Sequence, residues 1–281
     1  MIRLKYTVMK TNPLLSFFAI LIIALAIFLL NMTFAPKIPK TTIMALRIAL
    51  IVLFYIVWRV FARKEETSVK NIAFTIMVIN LAFLIVSFFT IDLLGIKLGS
   101  PKGIALAKLS DSVIISFVLI ISFVIGGFKL KNIYLTKGKF ALGFIIGIIS
   151  FILMGYLAFI TTKQPIGSEF LRNNLVWIFI FVFSNGFMEE LLFRGIFLNQ
   201  LNNFLKPAWT IVLTSIVFAC AHLQASYTPD VLFFTGITLI LGMIWGFLMH
   251  YTRSIIASML FHSGSDLMII VPIYYSLGVT G

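Results

Sequence analysis

Residues 174–201 read NLVWIFIFVFSNGFMEELLFRGIFLNQL, an apolar run interrupted by Glu189, Glu190 and Arg194. The run exceeds the ~20 residues a helix needs to cross ~30 Å of hydrocarbon. An ionisable side chain at the centre of a membrane helix costs about 2.5–3.5 kcal/mol on insertion scales. Two carboxylates and a guanidinium in one stretch of such a helix need partners, and a reason to be there.

The chain around this stretch has the same apolar character. Of its 281 residues, 61% are hydrophobic and 11% charged, and its mean hydropathy is +1.11. Soluble domains carry about 25% charged residues. Apolar runs recur at 14–34, 43–61, 72–94, 113–128, 140–160, 174–198, 208–223, 231–250 and 254–275. They predict an all-α, polytopic transmembrane helical bundle of eight or nine spans. The short polar–apolar alternation of barrel strands does not recur. The fourth and seventh runs are short, and the last contains Gly264 and Pro272, where a break or kink is expected.

The net charge is +13. In a soluble protein this would point to nucleic acid. Here Lys and Arg fall mainly between the apolar runs, so the partner they imply is the lipid bilayer, with no nucleic acid. Lys and Arg are in excess at the N-terminus and the even-numbered loops, which predicts a cytoplasmic N-terminus. The basic residues 1–10 have the look of a signal-peptide start. The run that follows is span-length without a small-residue cleavage site, so it reads as a retained first span. The single cysteine, Cys220, rules out a disulfide framework and a cysteine zinc knuckle and reads as a packing residue. These features describe an integral, multi-pass plasma-membrane protein. The Lys-, Ile- and Phe-rich composition suits a bacterial source.

Polar residues are distributed unevenly. Before Asp111 the ionisable residue well inside a span is Arg47, close enough to a span end to snorkel; Asn80 is polar but uncharged. Beyond residue 180 come Glu189, Glu190, Arg194, His222, His262 and Asp266. Residues 1–110 therefore read as scaffold helices, and residues 111–281 as the part that carries chemistry.

Helix geometry sorts these groups. Positions i and i+4 share a face, whereas neighbours point apart. Glu190 and Arg194 are so spaced, acid before base, and can pair. Glu189 then points elsewhere without a helix-mate, which suits a general base. His222 closes the segment Phe218-Ala219-Cys220-Ala221-His222, whose alanines permit close helix approach. His262 and Asp266 are again i,i+4 and can aim at one point. His250, beside Tyr251 and Arg253, reads as an interfacial anchor. Buried groups of this kind build a water-activating site or a proton and ion pathway. Two histidines and a carboxylate, Glu189, His222 and His262, can also hold zinc with an open position. Neither an HExxH zinc motif nor a GxSxG serine motif is present.

Taken in order, Glu189-Glu190-Leu191-Leu192-Phe193-Arg194, Phe218-Ala219-Cys220-Ala221-His222 and His262-Ser263-Gly264-Ser265-Asp266 resemble the EExxxR, FxxxH and HxxxN/D motifs of the CPBP family. That family includes the CAAX prenyl proteases and bacteriocin-processing membrane proteins. Gly242-Met243-Ile244-Trp245-Gly246 and Thr252-Arg253-Ser254 add to the likeness, which covers residues 111–270. It implies an intramembrane endopeptidase acting on a membrane protein or peptide substrate, glutamate-dependent or metal-dependent. Glu189 and His222 would activate water, Glu190 would be held by Arg194, and His262 with residue 266 would stabilise the oxyanion. The eukaryotic prenyl-protein proteases have Asn where this chain has Asp266. An ionised Asp accepts but does not donate. Asp266 is therefore protonated, or orients His262, or helps to hold a metal. The family also implies an alternative, a non-catalytic bacteriocin-immunity or membrane interaction protein on the same scaffold.

Overall fold

A computed structural model describes residues 13–32, 38–63, 67–89, 93–162, 166–223, 225 and 228–278. The basic N-terminal residues 1–10, Pro36 and the loop charges Lys64, Glu65 and Glu66 lie outside these. The described residues are helical, with no strand among them. In chain order the long helices are α1 (Pro13–Met32), α2 (Lys40–Arg63), α3 (Thr67–Phe88), α4 (Pro101–Ile125), α5 (Phe140–Thr161) and α6 (Ser168–Glu190). They are followed by α7 (Pro207–Ala221), α8 (Val231–Thr252) and α9 (Ile256–Gly278). Seven stretches among the described residues are long and apolar enough to cross a membrane: α2 to α5, Ser168–Leu201, α8 and nearly all of α9. Pro207–Ala221 is a shorter apolar helix, and α1, also apolar over Leu14–Phe28, runs for 20 residues. The all-α polytopic expectation holds.

The chain divides into two compact units. One comprises Met1–Leu84 and Phe193–Phe247; the other comprises Ile85–Leu192 and Leu248–Gly281.

In the first unit, α1 packs on α7 through Phe17 and Trp209, whose rings lie 5.4 Å apart. Phe28 faces Phe193 and Phe197 at 4.8 and 5.4 Å. Arg47 does not snorkel. It is buried on α2, donates from Nη1 to the Phe83 carbonyl at 2.7 Å, and lies over the Phe83 ring. A protein carbonyl and an aromatic face thus replace the water the guanidinium would otherwise seek.

In the second unit, α4 is longer than the apolar run that announces it. It begins at Pro101, with Ser100 as N-cap accepting from the Gly103 amide at 3.1 Å and Pro101 in the first turn. Lys102 and Lys108 end the apolar run in sequence but not the helix. Their ammonium groups lie over the Trp177 and Phe181 rings of α6 at 5.6 and 5.7 Å. The core joins Ala158, Ile178, Val182, Leu267, Ile270, Val271 and Tyr274 from α5, α6 and α9.

The expected break in the last helix is absent, because α9 continues through Gly264 and Pro272. Gly264 serves a different purpose. A Cβ there would sit 2.7 Å from the Phe151 Cα, and one on Gly147 would sit 2.8 Å from the Leu260 Cβ. Glycine lets α5 and α9 approach backbone to side chain, as small residues do between membrane helices.

Candidate active site

The α6 helix carries Asn185, Glu189 and Glu190 into the second unit, where α9 brings His262 and Asp266. The two helices meet at Gly186, where an added Cβ would collide with Ser263 Oγ and lie 3.2 Å from the Met259 carbonyl. This close approach brings His262 within reach of carboxylates on both helices. His262 Nδ1 lies 2.9 Å from Glu190 Oε1. Its Nε2 lies 3.4 Å from Glu189 Oε2 and 3.6 Å from Asp266 Oδ1. Asn185 Nδ2 donates to Asp266 Oδ2 at 2.9 Å. His262 is 2% exposed, Glu190 0%, and Glu189 and Asp266 6% each. Glu189 Oε2 is buried and accepts no hydrogen bond among the described residues.

The result is one imidazole faced by three carboxylates, the third held by an amide. The i,i+4 spacing of His262 and Asp266 does direct both to one point. Glu190 takes the opposite ring nitrogen, a cross-helix contact that spacing along α6 could not announce. Sequence reasoning missed Asn185. Its signal was available: an amide in mid-span, four residues before Glu189 and so on the same face.

The helix is not regular beyond Glu190. Leu191–Leu198 winds as a π-helix. Such turns close over five residues rather than four and are frequent at functional sites. The four-residue step from Glu190 to Arg194 is therefore not the simple α-turn that spacing suggests.

Arg194 and His222 belong to the first unit. Arg194 is 0% exposed, and its guanidinium carbon lies 4.3 Å from the Phe218 ring centroid and 5.4 Å from that of Trp245. Gly242 makes room for it: a Cβ there would sit 2.9 Å from Arg194 Nη2. His222, at the C-cap of α7, holds its Nδ1 2.8 Å from the Phe218 carbonyl, with its ring 4.6 Å from that of Phe218. A donating Nδ1–H leaves Nε2 as the acceptor. Phe218 thus touches both Arg194 and His222, the two charged or titratable members of this set.

Among the described residues, no three His, Cys, Asp or Glu side chains are grouped so as to hold a metal ion. The Glu189, His222 and His262 zinc set draws on both units, and His262 already commits one nitrogen to Glu190.

Residues 171–268 match the family model described as type II CAAX prenyl endopeptidase Rce1-like. The match spans 98 of the 281 residues, and over that stretch the chain is similar to Rce1-like endopeptidases. This agrees with the CPBP likeness, and the matched stretch contains Glu189, Glu190, Arg194, His222, His262 and Asp266. No curated protein and no solved structure matches the chain. The seven apolar stretches and this similarity make the chain an integral, multi-pass membrane protein in which residues 171–268 are similar to a family of intramembrane proteases.

Proposed function

We propose that the chain hydrolyses peptide bonds of membrane-associated proteins or peptides with water activated by Glu189 and His222. The observation that supports this reading is the set of carboxylates around His262, with Nδ1 on Glu190 and Nε2 toward Glu189 and Asp266. Glu189 is the base. Its Oε2 is buried, accepts no hydrogen bond among the described residues, and so is available to take a proton from water. The hydroxide adds to the scissile carbonyl carbon, and the carbonyl oxygen becomes an oxyanion. Glu189 then returns the proton to the departing amine as the C–N bond breaks.

His262 Nε2 can donate to the oxyanion only if Nε2 carries a proton. In a singly protonated ring this places the shared proton of the Nδ1–Glu190 contact on Glu190; otherwise the imidazole is doubly protonated. Asp266 orients the ring and is itself held by Asn185. His222, with Nδ1 directed to the Phe218 carbonyl, has the tautomer of an acceptor for water's other proton.

Glu189→Gln and His222→Ala, purified and reconstituted in bilayers, should each lose about 10²–10⁴ of turnover on apolar peptide substrates. Unchanged turnover in both, with folding intact, would sink the reading. A zinc-dependent version predicts loss of activity on chelation and recovery with added zinc. The glutamate version predicts that chelation changes nothing.

A further inference from the structure

Between α4 and α6, within the second unit, lies a cavity of about 620 Å³ lined by Leu109, Ser112, Val113, Ser116, Phe179, Ile180, Phe183, Ser184 and Phe187. Two of these residues are anomalous. A buried serine in a membrane helix ordinarily turns its hydroxyl onto the carbonyl one turn back. Ser265 does so onto Phe261 at 3.1 Å, and Ser215 onto Ile211 at 2.7 Å. Ser112 and Ser116, 3% and 6% exposed, find no hydrogen-bond partner for Oγ among the described residues. Removed from water, such groups are costly unless something arrives to pair with them.

The spacings indicate what arrives. Ser112 and Ser116 are one turn apart on α4, a rise of about 6 Å. Two residues of extended peptide advance about 6.6–6.8 Å, so both hydroxyls can meet main-chain groups on one edge of an extended chain. Phe179, Phe183 and Phe187 repeat at the same interval on α6, with gaps between rings that suit alternate side chains. Phe187 is three residues before Glu190, so this helical face continues from the groove to the His262 cluster. A hydrocarbon tail would fit the apolar lining but leave both hydroxyls unpaired.

We infer that this groove is a substrate subsite, which binds an unwound apolar peptide segment through Ser112 and Ser116 and leads it along α6 to the His262 cluster. The inference rests on the peptidase reading for its purpose but not for its test. A peptide in lipid can be hydrolysed only where it is not helical, and its exposed amides then need partners other than water. Serines on the groove wall supply them.

The test is photocrosslinking with a synthetic apolar peptide of about ten residues, long enough when extended to cross the hydrocarbon layer. Wild type and Glu189→Gln should both be labelled within residues 109–116 and 179–187. The double variant S112A/S116A should lose about tenfold in labelling and, where turnover is measured, raise KM with little change in kcat. Removing unpaired hydroxyls should not impair folding. As a second variant, Val113→Trp at the exposed mouth of the groove should block labelling. Labelling outside the groove, labelling indifferent to both variants, or full displacement by excess long-chain alcohol overturns the inference. Labelling without any hydrolysis would overturn the peptidase reading and leave the groove standing. Hydrolysis without groove labelling would do the reverse.

Discussion

At the scale of single residues, the informative pair is Asn185 and Asp266. The Asn185 amide donates to Asp266, and Asp266 faces the same imidazole nitrogen as Glu189. Asn185→Leu keeps the volume but leaves a buried carboxylate oxygen without its donor. It should cost about 1–3 kcal/mol of stability and most of the turnover, measured by thermal unfolding in detergent and peptide cleavage in parallel. Asp266→Asn is the milder change. Its amide can flip to present oxygen to Asn185 and can donate toward the oxyanion. Turnover within about tenfold of wild type would support a donating or orienting role for residue 266; a loss as large as that of Glu189→Gln would show that the carboxylate itself is required.

At the scale of elements, the contact between α5 and α9 depends on glycine. Gly264 lies two residues from His262 and directly against the Phe151 backbone. Backbone atoms cannot move aside as a flexible side chain can. Gly264→Ala should therefore lower stability by about 1–3 kcal/mol through overpacking, read as a lower unfolding temperature. Activity should fall further than stability, because α9 carries both His262 and Asp266. In sequence, Gly264 and Pro272 look like helix breakers. The role of Gly264 becomes visible only when the neighbouring helix is in place. The same holds for the start of α4, where Lys102 and Lys108 end an apolar run but not a helix, since aromatic rings of α6 receive them.

At the scale of the whole molecule, nine apolar helices among the described residues match the nine apolar runs of the sequence. One of them, Pro207–Ala221, is short at 15 residues, and the bilayer must thin locally if it crosses. If all nine cross, the two ends of the chain lie on opposite sides of the membrane. The excess of Lys and Arg then predicts a cytoplasmic N-terminus. Reporter fusions check this directly: a cytoplasmic N-terminal reporter with an external C-terminal one is expected. Both ends on one side would mean that one of the nine, the short Pro207–Ala221 first of all, does not cross.

Sequence alone determined the class of molecule and most members of the candidate site. Both rest on local quantities. A run of about twenty apolar residues is enough to specify a membrane helix, and an ionisable side chain inside one is costly wherever its neighbours lie. That is why Glu189, Glu190, Arg194, His222, His262 and Asp266 stood out without coordinates. Only the tertiary structure decided which of them meet within each unit. It put Glu190 on His262, Asn185 on Asp266 and Arg194 on Phe218 and Trp245, and left Ser112 and Ser116 facing a cavity. Spacing along one helix specifies which residues share a face. Which helix that face meets depends on packing across the fold, and on glycines such as Gly186 and Gly264 that allow the backbones to close.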